Sequence, residues 1–171
     1  MALQSPLSLA FAAAIFLIAL PSGFANEPHQ PASIAVIDFD YRDTSGEVRD
    51  ATAEHRKRLN AFMSAMRTDL AAGGQYRLVD VTCASLPCSL SNSTPSELID
   101  QVKRAGARFL LYGGIHKEST LVQWAKVQVV DIEADKLVVD RLLTFRGDTD
   151  EAWNRAENFI VKELKEKLAS K

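Results

Sequence analysis

The stretch "RFLLYGGIHKESTLVQWAKVQVVDIEADKLVVDRLLTF", residues 108–145, decides the fold. It predicts three strands, at 108–118, 121–132 and 136–145, each rich in β-branched, aromatic and leucine side chains. The connections between them are too short to contain a helix, so neighbouring strands should run in opposite directions. We therefore expect an antiparallel meander in this part of the chain.

The residues before the meander alternate between strand and helix patterns. "SIAVIDF" (33–39) and "QYRLVDV" (75–81) are short apolar runs bounded by polar residues, which is typical of buried strands. Apolar side chains at helical spacing predict a helix over about 52–72, and a second helix begins after Thr94. Strands joined by helical crossovers pair in parallel, so this half of the sheet should be parallel.

The second helix has the clearest boundaries. Thr94 is expected to cap it, Pro95 to occupy its first position and Glu97 to complete a capping box. Gly106 is expected to end it. A last helix carries Trp153 and further apolar residues on one face. The fold class is therefore α/β, with one mixed β-sheet of about five strands packed with three helices, in the order β-α-β-α-β-β-β-α.

The junction between the last strand and the last helix contains the tripeptide Arg146-Gly147-Asp148. In other settings this tripeptide is an adhesion signal, but here it lies on a strand-to-helix junction rather than at a long exposed tip. Gly147 allows the chain to bend, and Asp148 with Glu151 is expected to form a capping pair for the helix. A structural role is therefore the interpretation we adopt.

The N-terminal residues 1–25 have the pattern of a secretory signal peptide. An uncharged apolar run at 7–20 precedes small residues at Gly23 and Ala25, which predicts cleavage before Asn26. The run is shorter than the roughly 20 residues that span a bilayer, although an uncleaved membrane anchor is an alternative. Residues 26–32 are expected to be a flexible lead-in, and residues 33–171 a single domain in the periplasm.

Charge and cysteine content restrict the possible partners. The net charge is −2, with basic and acidic residues interleaved, so nucleic acid is not an expected partner. No second long apolar run follows the first, so we expect no membrane insertion of the mature chain. Cys83 and Cys88 are the only cysteines, and in an oxidising compartment they are expected to form a disulfide. No motif calls for a metal or another cofactor.

Charged residues at the carboxyl ends of the strands form a candidate binding rim. Because such ends meet at one edge of a sheet, where α/β proteins often bind ligands, we expect these residues to share that edge. The candidate rim consists of Asp38, Asp40, Asp80, Lys117, Arg146 and Asp148. The alternative is that they are solvated strand ends with weak local ion pairs.

The chain from Gly106 to Trp153 resembles an uncharacterised family of exported bacterial proteins, known as a domain of unknown function. That family carries a "GAD" strand start, a "K-x-S-x-L" hairpin and an "RGNTDESW" junction. The matching positions here are Gly106 and Ala107; Lys117, Ser119 and Leu121; and Arg146, Gly147, Thr149, Asp150, Glu151 and Trp153. The sequence departs from the family pattern at Arg108, Asp148 and Ala152.

More loosely, the "A-V-x-D-F" opening and the "VVD" strand ends are similar to the TolB N-terminal and curli-assembly (CsgG-like) α/β domains. This resemblance implies a periplasmic, non-enzymatic domain of the kind used in envelope assemblies, and it transfers no catalytic residue.

Two functional hypotheses follow. The first is an exported accessory or assembly module that acts by binding a periplasmic protein, without catalysis. The alternative is a small-ligand or solute-binding protein that uses the charged rim. An enzyme is disfavoured because His116 and Ser119 face opposite sides of their predicted strand and no other nucleophile–base pair is evident.

Overall fold

A computed structural model describes residues 30–169, and it contains six strands and three helices. The expected signal peptide and the first residues of the lead-in lie outside the described residues. The elements are β1 (Ala32–Val36), β2 (Asp40–Asp43), α1 (Thr52–Ala71), β3 (Tyr76–Leu78), α2 (Pro95–Ala105), β4 (Phe109–Lys117), β5 (Val122–Asp131), β6 (Lys136–Arg146) and α3 (Asp150–Leu168).

All six strands form one sheet with the order β3-β1-β4-β5-β6, and β2 also pairs with β4. The pairs β1–β3, β1–β4 and β2–β4 are parallel, whereas β4–β5 and β5–β6 are antiparallel. The mixed α/β fold and the antiparallel meander predicted from the sequence are therefore confirmed.

β2 is a strand that the sequence interpretation placed in a polar loop. Val36 lies beside Leu111 and Asp40 beside Gly114, so three residues, 37–39, face two residues of β4. This extra residue is a bulge that separates β1 from β2, after which the chain pairs again with β4. The polar residues of β2 show no strand pattern, so this strand was not predicted from the sequence. The sheet therefore has six strands rather than about five.

The helices pack on opposite faces of the sheet. α1 and α3 share a core with one face, in a cluster that includes Phe62, Met66 and Trp153. On the other face, α2 packs through Leu98 and Val102 against β1 and β4. The capping box of α2 and the left-handed Gly106 at its end are both present, as predicted.

The start of α3 corrects one expectation. The capping residue is Thr149, whose hydroxyl accepts a hydrogen bond from the Ala152 N–H at 3.2 Å. Gly147 has a φ of +98°, which a residue with a side chain rarely adopts, so its role in the bend is as expected. Asp148 therefore does not cap the helix, and its carboxylate has other partners.

Candidate functional site

The carboxyl ends of β2, β4 and β6 lie at one end of the sheet. Asp43 pairs with Lys117, Lys117 pairs with Gln123 on β5, and Arg146 pairs with Val122. The adjacent β1 ends earlier, because Val36 pairs with Leu111. At a rise of about 3.3 Å per residue, the end of β1 therefore lies roughly 20 Å before this edge. β3 ends earlier still, because its Leu78 pairs with Ile34.

Lys117 is fully buried at this edge, with 0% of its surface exposed. Its Nζ donates to Asp148 Oδ2 at 2.8 Å and to Glu47 Oε2 at 2.6 Å, and Asp43 Oδ2 lies 3.9 Å away. Burial opposes the charged form, but the hydrogen bonds to Asp148 and Glu47 outweigh it and raise the pKa of Lys117 above its usual value. Lys117 is thus held as a cation inside the protein.

The Asp148 carboxylate accepts hydrogen bonds from side chains of α1 and β4. Its carboxylate accepts hydrogen bonds from His55 Nε2 at 2.7 Å, from Lys117 Nζ and from Arg58 Nη1 at 2.9 Å. Burial alone would raise the pKa of Asp148, but the bonds from His55 and Lys117 outweigh burial and lower the pKa to about 2. Asp148 is therefore an anion that joins α1, β4 and the start of α3.

We call these side chains the Asp148 cluster: Asp43, Glu47, His55, Arg58, Lys117 and Asp148. The sequence interpretation included only two of the six. A signal for a third was present, because His55 extends the apolar face formed by Leu59 and Phe62 on α1. The Tyr41 ring lies against His55, with ring centroids 5.0 Å apart.

Asp38 and Asp40 form hydrogen bonds with the loop that contains the cysteines, not with the Asp148 cluster. Asp38 Oδ2 accepts from the Cys88 N–H at 3.1 Å, and its Oδ1 accepts from Arg67 at 2.8 Å. Asp40 accepts from the Ser89 hydroxyl at 2.7 Å and from the Ser91 N–H at 3.2 Å. Both carboxylates thus fix the loop that contains the cysteines.

The disulfide between Cys83 and Cys88 is present, as predicted. Asp38 N–H also donates to the Cys88 carbonyl at 2.8 Å, so the backbone holds this loop as well as the side chains do.

The two remaining rim residues, Asp80 and Arg146, are exposed at different places. Asp80 lines a small crevice of about 200 Å³ with Asp38 and Arg67. Arg146 makes no ion pair with any residue between 30 and 169, and it lines a groove beside β6. The structure therefore brings Lys117 and Asp148 together but does not unite the six residues in one rim. Their binding role stays a prediction.

The groove beside β6 has a volume of about 430 Å³. It lies between the strand and α3, and its lining is largely apolar, with two arginines. The lining residues are Leu143, Thr144, Phe145, Arg146, Ala152, Arg155, Ala156 and Phe159. We call it the β6–α3 groove. Because β6 is the last strand of the sheet, the groove lies next to backbone groups that no strand pairs with.

A second groove of about 490 Å³ opens beside the Asp148 cluster. Its lining carries both signs of charge, and the lining residues are Tyr41, Asp43, Glu47, Arg49, Asp50, Ala51, Thr52, His55, Arg56 and Leu59. Between residues 30 and 169, no group of three His, Cys, Asp or Glu side chains is arranged to hold a metal ion. Within the same range, no helix has the length and hydrophobicity to span a bilayer.

These features define a small mixed α/β domain with a buried ionic cluster at one end and a free edge strand beside an apolar groove. Residues 32–164 match the model of the DUF3280 family, described as "Protein of unknown function (DUF2380)". The chain belongs to this family, which confirms the resemblance to a domain of unknown function. No curated protein matches the chain.

Solved structures share the fold at low sequence identity. The hypothetical protein CT253 from Chlamydia trachomatis is 17% identical with a TM-score of 0.57, over 82% of this chain and 99% of that one. TolB from Acinetobacter baumannii is 15% identical with a TM-score of 0.51, over 84% of this chain and 29% of that one. A putative neuraminyllactose-binding hemagglutinin homolog from Helicobacter pylori is 13% identical with a TM-score of 0.51, over 84% and 91%. The TolB similarity confirms the looser resemblance at the level of fold.

Proposed function

We propose that the chain is an exported accessory module that binds another protein, without catalysis, by accepting an extended segment of that protein along β6. The observation that carries this proposal is that β6, an edge strand of 11 residues, lies directly beside the β6–α3 groove. Proteins that bind peptides by strand addition use backbone hydrogen bonds for affinity and side-chain pockets for specificity. The β6 edge and the β6–α3 groove offer both.

The chemistry of the groove indicates what would fit. Leu143, Phe145 and Phe159 provide apolar surface, and Phe159 is 52% exposed. Arg146 lacks an ion-pair partner among residues 30–169, so an acidic residue of the incoming segment could pair with it. We therefore expect an extended segment with an apolar side chain and a neighbouring carboxylate.

Two further observations support binding over catalysis. The most strongly buried cation, Lys117, is enclosed by carboxylates, which suits a structural role. The resemblance to TolB N-terminal domains implies a module of envelope assemblies, and the signal-peptide pattern fits the same location.

The test is to crosslink the tagged mature chain in the periplasm of its host and to identify what is captured. Thr144→Pro removes a backbone N–H at the free edge, so it should abolish capture, since proline cannot donate to a strand ladder. Thr144→Val is the matched control, because it keeps the N–H and favours a strand. Capture that is equally strong with Thr144→Pro would contradict the proposed edge.

A second variant tests the charge of the groove. Arg146→Glu should weaken capture of the same partner, whereas Lys162→Glu, on an exposed part of α3, should not. Reversal of Lys117 would be a poor test, because this side chain is fully buried and its loss would disturb folding instead of contact.

A second candidate function is the binding of a small charged solute in the groove beside the Asp148 cluster. The groove volume lies within the range of small-molecule sites, and its lining offers both carboxylates and arginines, among them Asp50 and Arg56. Amino acids, which carry both charges, should then raise the melting temperature of the mature chain, and Arg56→Gln should reduce that shift. An unchanged melting temperature across these ligands would remove this candidate.

A further inference from the structure

The β6 edge lacks the features that usually prevent one sheet from pairing with another. The residues Leu142–Phe145 contain neither a charge nor a proline, and Leu142 is 62% exposed. By contrast, the opposite edge strand, β3, has only three residues. Long and uncharged edge strands readily pair with another chain.

The ladder with β5 determines which backbone groups of β6 are free. Gly147 N–H donates to the Leu121 carbonyl at 2.9 Å, so residues 147 and 121 form a hydrogen-bonded pair. In an antiparallel ladder such pairs alternate with non-hydrogen-bonded ones. The N–H and C=O groups of Asp140, Leu142, Thr144 and Arg146 therefore point away from β5.

We propose that, when no partner is bound, β6 pairs with β6 of a second copy of this chain, antiparallel about a twofold axis at Leu143. This inference rests on the proposed function, because it concerns the same edge. Free residues must face free residues, and this axis places Asp140 opposite Arg146 of the second copy and Leu142 opposite its Thr144. Symmetry repeats both contacts, so the interface has two Asp–Arg pairs.

Neighbouring registers do not give this match. An axis at Leu142 places Asp140 opposite Thr144 of the second copy and leaves Arg146 facing Val138. An axis at Thr144 places Arg146 opposite Leu142. Opposite charges directly across a ladder stabilise the pairing, so the axis at Leu143 is favoured.

The charges and side chains around this axis suit the arrangement. Asp140 already forms an ion pair with Lys126 on β5 through its Oδ1. A carboxylate has two oxygens, so Asp140 can also accept a hydrogen bond from Arg146 of the second copy. Arg146 has no competing ion pair among residues 30–169. Leu143 and Phe145 also line the β6–α3 groove, where the same two residues of the second copy would enter beside Phe159.

One edge cannot hold both a partner segment and a second copy. Self-pairing would therefore compete with partner binding, and the fraction of free edges would depend on concentration by mass action. The dimer would also protect the uncharged Leu142–Phe145 run until a partner displaces the second copy.

Analytical ultracentrifugation of the mature chain tests the pairing. We expect a concentration-dependent monomer–dimer equilibrium. Asp140→Arg alone and Arg146→Asp alone should each weaken the dimer by about tenfold, because each creates two like-charge contacts across the axis. The double variant restores opposite charges and should recover the dimer. A monomer at all concentrations, or equal dimerisation of all four proteins, would overturn the proposal, while circular dichroism checks that each variant is folded.

Cysteine substitution tests the register. Leu143→Cys should form a disulfide-linked dimer, since residues on the axis form a non-hydrogen-bonded pair with Cα atoms about 4.5 Å apart. Thr144→Cys is the comparison, and a more efficient crosslink there would contradict the axis at Leu143.

The capture experiment separates the two proposals. A monomeric chain whose partner capture is still lost with Thr144→Pro would end the self-pairing proposal but keep the proposed function. The opposite outcome is a chain that captures no partner in its host but forms a dimer that each single charge variant weakens and the double variant restores. That outcome would contradict the proposed function and keep the self-pairing proposal.

Discussion

Glu157 on α3 provides a quantitative test of the packing between α1 and α3. Its side chain is 1% exposed, and its Oε1 has no hydrogen-bond partner among the described residues. Burial, with a smaller contribution from the charge of Asp69, raises the pKa of Glu157 from 4.5 to about 7. The folded protein therefore favours the protonated form of Glu157.

The sign and size of the effect follow from this pKa. Below pH 4.5 the carboxyl group is protonated in both folded and unfolded chains, so it has no effect on the pH dependence. Between pH 4.5 and 7 the unfolded chain releases the proton first, and the free energy of unfolding falls as the pH rises. A difference of 2.5 units corresponds to about 3 kcal/mol, at about 1.36 kcal/mol per unit, and this loss is complete above pH 7.

Glu157→Gln removes the ionisation but keeps the shape of the side chain. We expect the variant to match the original chain near pH 4.5 and to be more stable by about 3 kcal/mol at pH 8. Urea unfolding at several pH values measures this difference, and Glu166→Gln, at an exposed position of the same helix, is the control. Parallel pH profiles for the original chain and Glu157→Gln would refute the reasoning.

Three further changes test the interior. Lys117→Met should lower the free energy of unfolding by roughly 3–5 kcal/mol, because it removes a fully buried cation and leaves the partly buried Asp148 carboxylate without one of its partners. An unchanged urea midpoint would show that the cation is unimportant. Gly113→Ala should cost about 1–3 kcal/mol, since a Cβ there would lie 2.2 Å from the Lys126 carbonyl oxygen, and an unchanged melting temperature would contradict this close approach. Cys88→Ser, which opens the disulfide ring, should cost about 2 kcal/mol, with full stability in the variant as the contrary result.

Local patterns were sufficient to predict most of the fold. The meander followed from β-rich runs with short connections, and α2 followed from the capping box at Thr94 and the stop at Gly106. These features depend on residues close in the chain. β2 was missed because pairing with β4 overrides the polar composition of its residues, and no local signal records that pairing.

The candidate site could be predicted only in part, for a related reason. Lys117 and Asp148 were expected at one edge, and they meet there. The bulge after β1 and the early end of that strand move Asp38 and Asp40 to the cysteine loop, an effect that depends on register. Asp148 was assigned to the helix cap because a capping residue is a local choice, whereas its actual donors come from residues far away in the sequence.

The Asp148 cluster also bears on the order in which the chain can fold. Glu47, His55 and Lys117 are synthesised well before Asp148, which lies 31 residues after Lys117 and 93 after His55. Until Asp148 emerges, His55 and Lys117 lack the anion they share, so burying them would be unfavourable. We therefore expect this end of the sheet to close late. A delay of this kind suits a chain that, as its signal-peptide pattern predicts, is exported before it folds.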